Sequence, residues 1–284
     1  MKNIVDIKNR IKSVKDIAQI TRAMELISVA KMRKADERRE HHDRYYRRIK
    51  SVIKDIFAHS PSIDHPYLKP AEGKGTVFIV IASDAGLAGG YNNRVLQLAE
   101  KEIAAAGSYK VFTVGYMAEE YLSVRGYATI DKFVYCSQNP TLDDIRRLAM
   151  SAIDYFDSGE ADEIKIISTR TIKGHNTAIS TRLLPLGKGD FEDAKPLADY
   201  KQILHFEPSA ADVFNILAPQ YVFGTMFNAL AEAIRCEHSE RMAAMGTATE
   251  NAGQMIEKLE REYHRARQEK ITSELAETSS SLRE

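Results

Sequence analysis

NIVDIKNRIKSVKDIAQITRAMELISVAKM, residues 3–32, decides how this chain folds. Ile4, Ile7, Ile11, Val14, Met24 and Ile27 recur at spacings of three and four, with Ile17 and Ile20 between them. Ile49, Val52, Ile53 and Ile56 resume the pattern farther on. That period lays apolar side chains along one stripe of a helix. No proline falls between Lys2 and Ser60, so nothing stops a helix over residues 3–58. The other end repeats the signature over residues 212–277, with Val213, Ile216, Leu217, Leu230, Ile234, Met242, Met245, Met255, Ile256, Leu259 and Tyr263, and no proline after Pro219. Helices of that size reach roughly 80 and 100 Å, far beyond ordinary globular lengths. Two or three shorter helices would need breakers that are not there. Neither narrow stripe closes a core alone, so the economical fold winds the two together as a rod carrying a lobe.

Small residues interrupt the second stripe: Ala229, Ala233, Ala243, Ala244, Ala248, Ala252 and Gly253. They allow close approach of two helix axes, and the methionines among them repack easily. High helix propensity alone also accounts for the alanines. The whole chain has 284 residues and zero net charge, but the ends differ. Residues 1–60 carry 16 Lys/Arg against 8 Asp/Glu, whereas residues 212–284 carry 8 against 12. The basic excess is densest over residues 31–50, where Glu37, Glu40 and Asp43 interleave with it. That mixture fits an acidic protein partner better than a phosphate-tracking stripe. No run approaches the 18 or so apolar residues of a membrane span, and the N-terminus reads as helix, not as a signal or transit peptide. Cys136 and Cys236 form no CxxC and lie far apart, so a disulfide or zinc framework is not expected in a reduced, cytosolic setting.

The middle, residues 76–211, reads as α/β. Strands are expected at 76–83, 109–115 and 129–135, helices at 93–106, around Glu119 to Tyr121, and at 142–156. A strand pair is expected at 163–170 and 176–186, then a loop from Gly187 to Pro208. Alternation of strand and helix implies a mostly parallel, doubly wound sheet. After the first strand comes SDAGLAGGYN, residues 83–92, where a dinucleotide loop would sit. Its Gly86, Gly89 and Gly90 do not match G-x-G-x-x-G, and the Lys-Ser/Thr of a P-loop is missing. A helix N-terminus can hold an anion without a motif, but a tight turn needing glycine dihedrals explains the stretch better. Gly174-His175-Asn176 reads as a hairpin turn, and His41 and His42 have no histidine partner at i,i+4. No catalytic, cofactor-binding or metal-binding constellation emerges.

IKNRIKSVKDIAQITRAMELISVAKMRKA (7–35), SDAGLAGGYN (83–92) and EHSERMAAMGTATENAGQMIEKLEREYHRARQEKITSEL (237–275) closely resemble the gamma subunit family of rotary F-type ATP synthases. The likeness covers essentially the whole chain, and its first and last stretches are long and specific. It implies an α/β lobe plus a long antiparallel coiled coil, with arms 1–60 and 212–284 around a lobe at 76–211. It also implies a non-catalytic rotor that couples ion-driven rotation of the c-ring to the beta catalytic sites. The partners implied are the alpha and beta subunits, the epsilon subunit and the c-ring, with no cofactor, nucleic acid or small-molecule substrate. The implied place is peripheral, at the cytoplasmic face of the cell membrane.

By that resemblance, Met24 in ITRAMEL and Arg241 in ERMAAM match residues of one contact system with an acidic loop of beta. Met24 also fits the stripe, and Arg241 would also suit a solvated position. Arg267, Gln268 and Thr272 in ARQEKIT match residues that bind a beta catch loop. Lys31, Arg33 and Lys34 join the acidic-loop set on charge alone. The chain departs from the family at Ala85 and Ala88, where lysine and cysteine are usual, and at its polar tip Thr278 to Glu284, where apolar residues are usual. No cysteine pair of the chloroplast, thiol-regulated kind is present. Two other readings compete: a nucleotide-dependent enzyme built on the Gly86–Gly90 turn, and a basic coiled coil for nucleic acid or lipid built on residues 31–50.

Overall fold

The computed structural model describes residues 4–60, 63–69, 72–133, 140–196 and 206–281, with side chains to residue 276. Both long helices form. Helix α1 spans Ile4–His59, and at the far end α5 spans Ala210–Ser281 with Pro219 inside it. Between them run β1 (Thr76–Ile81), α2 (Tyr91–Ala105), β2 (Tyr109–Val114), α3 (Tyr116–Val124), β3 (Asp131–Phe133), α4 (Leu142–Asp157), β4 (Glu163–Ile172) and β5 (His175–Leu184). The third strand stops at Phe133 where the sequence predicted residues 129–135; positions 134 and 135, like Cys136, lie outside the described residues.

The chain divides into two compact units, residues 1–30 with 241–284 and residues 31–240. The larger unit is built on a five-stranded sheet in the order β3-β2-β1-β4-β5. Four strands are parallel, and β5 returns antiparallel through the two-residue turn Lys173–Gly174, both at positive φ, as tight hairpins require. Strand alternation sends Phe78, Val80, Val111 and Ile167 to one face, against Val95, Leu96 and Ile103 of α2 and Ala118 and Leu122 of α3. Val77, Ile79, Phe112, Val114, Ile164 and Ile166 pack on the other face with α4. Ile49, Ile53 and Ile56 of α1, with Phe214, Val222 and Met226 of α5, complete that second core. Helix α4 starts on a reciprocal cap between Thr141 and Asp144.

Two backbone positions are set by close approach. Gly115, at φ 94°, carries the chain from β2 into α3, and a Cβ there would stand 2.3 Å from the Ala82 carbonyl oxygen. Gly224 of α5 faces α1, where a Cβ would meet the Tyr46 ring at 2.5 Å. Around it His42 stacks on Phe227 at 4.2 Å and Tyr46 on Tyr221 at 5.6 Å. Burial holds the His42 pKa below its ordinary value, against the pull of Asp43. Paired residues run in opposite senses along the two helices within this unit: Asp36 with Arg235, Arg39 with Glu232, Tyr46 with Thr225. The helices are antiparallel.

In the smaller unit the same antiparallel order holds, with Lys15 on Glu260, Thr21 on Thr249 and Glu25 beside Gly246. The buried positions on α1 are Ile7, Val14, Thr21 and Ser28, one heptad apart. Opposite them lie Ala252 and Leu259. This corrects the single stripe expected from sequence. Ile17, Ile20 and Ile27 are outside the seam, each more than half exposed. Small partners at Gly246, Thr249 and Ala252 bring the axes close, which admits Thr21 and Ser28 and leaves no room for isoleucine. The polar atoms are satisfied there: Thr21 and Thr249 share a 2.8 Å hydrogen bond, and each also donates, or can donate, to a carbonyl of its own helix. Thr21→Val or Thr249→Val alone is expected to cost about 1 kcal/mol, and the double variant less than the sum, because matched apolar replacements strand neither partner. A double-mutant cycle by urea unfolding checks this.

Candidate functional site

Burial and pairing sort the surface of the smaller unit. On α1, Ile17, Ile20, Met24 and Ile27 follow one another at helical spacing and form an outward row beside the seam. Met24 is half-buried in that row, and its carbonyl accepts the Ser28 hydroxyl at 2.8 Å. Leu26, also more than half exposed, adds apolar surface elsewhere on the helix. A protein on its own has no use for so much outward isoleucine on a thin helix pair; such surface marks an interaction site.

Farther along α5, Arg267, Gln268 and Thr272 are all exposed. Their neighbours are paired within the helix, Arg265 with Glu269 at 3.0 Å and Lys270 with Glu274 at 3.6 Å. Among the described residues, Arg267 has no carboxylate within ion-pair distance. The Thr272 hydroxyl donates to the Gln268 carbonyl at 2.9 Å, which joins those two positions and leaves the amide of Gln268 facing out. Arg241 is different. It is only 7% exposed, so it is a buried charge of the fold and not the solvated one that the sequence also allowed.

The basic stretch of α1 belongs to the larger unit, and much of its charge is engaged there. Lys50 reaches Asp193 at 2.5 Å, Lys54 donates to the Glu192 and Ala194 carbonyls, and Arg47 pairs with Asp43. Lys31, Arg33 and Lys34 have no such partner among the described residues. A continuous phosphate-tracking stripe is therefore not what these residues make.

The glycine-rich turn after β1 closes on itself. The Ser83 amide donates to Asn92 Oδ1 at 3.0 Å, the Ser83 hydroxyl donates to the Ala85 carbonyl at 2.6 Å, and Asp84 accepts from the Tyr116 amide. The positive φ angles fall on Leu87 and Gly89, not on Gly86 or Gly90. Arg94 of α2 lies against Gly90 and pairs with Glu240 at 2.7 Å, so its charge is taken. His175 sits exposed beside the hairpin turn. The groups that a nucleotide site would need are used to hold the turn.

The comparisons with known proteins agree with one another. The family model described as ATP synthase matches residues 3–282. The ATP synthase gamma chain of Ruminiclostridium cellulolyticum is 38% identical over 288 residues, covering 97% of this chain and 96% of that one. The chain belongs to the ATP synthase gamma-chain family. Solved structures share the fold. A Tetrahymena thermophila mitochondrial ATP synthase chain, from a structure of the central stalk and c-ring, gives a TM-score of 0.61 at 19% identity, covering 81% of this chain and 99% of that one. A chain of the Euglena gracilis mitochondrial ATP synthase gives 0.67 at 16% identity, covering 98% of this chain and 93% of that one. Gamma chains are non-catalytic stalk subunits of a membrane-associated complex, and the mixed sheet between two long helices is their architecture. Among the described residues, no helix is long and apolar enough to cross a membrane.

The outward row of Ile17, Ile20, Met24 and Ile27 is the functional signal that periodicity alone did not separate from the buried heptad of Ile7, Val14, Thr21 and Ser28.

Proposed function

We propose that this chain is the central rotor of an F-type ATP synthase, with arms 1–60 and 212–284 and a lobe at 76–211. The observation that carries the reading is the division of labour in the smaller unit. The two helices close their own seam on Ile7, Val14 and Leu259 together with small and polar residues, and turn Ile17, Ile20, Met24 and Ile27 outward. Alpha and beta subunits would receive that surface, and the lobe would meet the epsilon subunit and the c-ring, at the cytoplasmic face of the cell membrane. Coupling needs no chemistry in this chain. An angle-dependent binding free energy between an uneven shaft and each beta subunit shifts that subunit among its conformations. Met24, Lys31, Arg33 and Arg241 are assigned to the contact system with an acidic loop of beta. Because Arg241 is buried, its part is to set the position of α5 there. Arg267, Gln268 and Thr272 are assigned to a second beta loop.

Reconstitution tests the proposal. The chain is mixed with the alpha and beta subunits of its own organism, and Mg-ATP hydrolysis is assayed with and without it. One copy in the isolated complex and a large gain in steady turnover is the expected result. No complex with either subunit would refute the rotor reading.

A further inference from the structure

The larger unit contains a cleft of about 310 Å³ between α1, α5 and the start of α4. Its floor is mostly apolar, formed by Ala35, Ile145, Phe227, Leu230, Ala231 and Ile234, with His238 also among the lining residues. Interiors of folded proteins tolerate few voids larger than a water molecule. A dry cavity of about 150 Å³ already admits benzene. The cleft reaches the size at which small-molecule sites begin, roughly 300 Å³. Its rim is not neutral. Lys31 and Lys34 stand three apart on one face of α1, at the edge of the apolar floor, with Arg38 one turn farther on. The two lysines have no carboxylate within ion-pair distance among the described residues.

We propose that this cleft binds a free, single-chain amphipathic anion of the fatty-acid type. The aliphatic tail would lie on Ile145, Phe227 and Ile234, and the carboxylate would sit between the Lys31 and Lys34 ammonium groups. Walls from three elements enclose a chain rather than offer a flat face, and compact ammonium charges suit a small anion. The site does not depend on the rotor reading. Because Lys31 is also assigned to a beta contact, the test reads binding to the full chain and not ATP turnover.

The experiment is calorimetric titration of the full-length chain with sodium decanoate, below the concentration at which it forms micelles. Saturable binding of one decanoate per chain is expected. Lys31→Gln/Lys34→Gln is expected to weaken it about tenfold, since two charge-assisted contacts are lost, while binding of decanol stays unchanged. Ala231→Phe, which fills the floor, is expected to abolish both, with circular dichroism confirming that the variant is folded. Absence of saturable decanoate binding would overturn the proposal, as would equal affinity in the lysine variant. Binding only to phosphatidylglycerol vesicles, lost in that variant, would overturn it too and put a membrane surface in place of the cleft.

Discussion

Arg267→Ala/Gln268→Ala is expected to lower ATP synthesis by the reconstituted membrane complex about tenfold or more, with the stability of the isolated chain unchanged. Both side chains are exposed, and Arg267 has no intramolecular carboxylate among the described residues, so truncation removes nothing that holds the helix pair together. What is lost is a guanidinium able to grip a carboxylate or a carbonyl edge at two points, with an amide beside it. Hydrogen bonds to charged groups contribute about 1.5–3 kcal/mol, and about 1.4 kcal/mol corresponds to a factor of ten. Arg267→Lys should recover only part of the loss, because a point charge does not reproduce the planar fork. Thermal unfolding of the chain and synthesis rates in proteoliposomes are the two readouts. Wild-type rates in the double variant would remove these residues from the beta contact and leave the fold assignment standing.

Gly115→Ala should have the largest effect on folding. A residue with a side chain at φ 94° carries strain of about 1–2 kcal/mol. The added Cβ would also meet Ala82 O at 2.3 Å and Ser83 O at 2.9 Å, and both are backbone atoms at the end of β1. They cannot rotate away as a flexible side chain would. The expected loss is more than about 3 kcal/mol, within the range of severe single substitutions. Gly159→Ala is the control. It too has positive φ, at 73°, but nothing lies within 4 Å of its Cβ position. It should lose only the strain. The difference between the two midpoints in urea isolates the contact, and equal losses would show that Gly115 matters for its dihedral alone.

Much of the architecture was legible from pattern. The strands at 76–81, 109–114, 163–172 and 175–184 lie where β-branched runs and turn residues put them, and the hairpin turns at Lys173–Gly174, just before the Gly174-His175-Asn176 that the sequence suggested, with His175 and Asn176 already in β5. Helix α1 ends within two residues of its predicted bound. The register of the helix pair was not legible. Ile17, Ile20, Met24 and Ile27 keep helical spacing as faithfully as Ile4, Ile7, Ile11 and Val14 do. Period alone therefore cannot say which row is the seam. The choice is made by the partner helix, where Gly246, Thr249 and Ala252 draw the axes together. The turn at residues 83–92 was legible in part. Gly89 supplies a positive φ of 54°, as the glycines of this turn were read to do, while Leu87 adopts φ 61° as well and the Ser83–Asn92 hydrogen bonds fix the ends. Of the candidate contact residues, Arg267 and Gln268 were named by the family resemblance, and both are exposed. The burial of Arg241 depends on tertiary packing that no local pattern encodes.

Residues 1–30 group with residues 241–284 in one compact unit. During synthesis, this part of α1 therefore leaves the ribosome with its seam and its outer isoleucine row both uncovered, and it stays so until residues 241–284 have been made. The larger unit waits as well, since Phe214, Val222 and Met226 belong to its core. Contacts of such long sequence separation form late and slowly, and apolar surface exposed meanwhile invites association with other chains. A helix pair that joins residues 1–30 to residues 241–284 thus also needs protection while it is being made, and its yield in the cell should follow the supply of factors that shield unfinished helices.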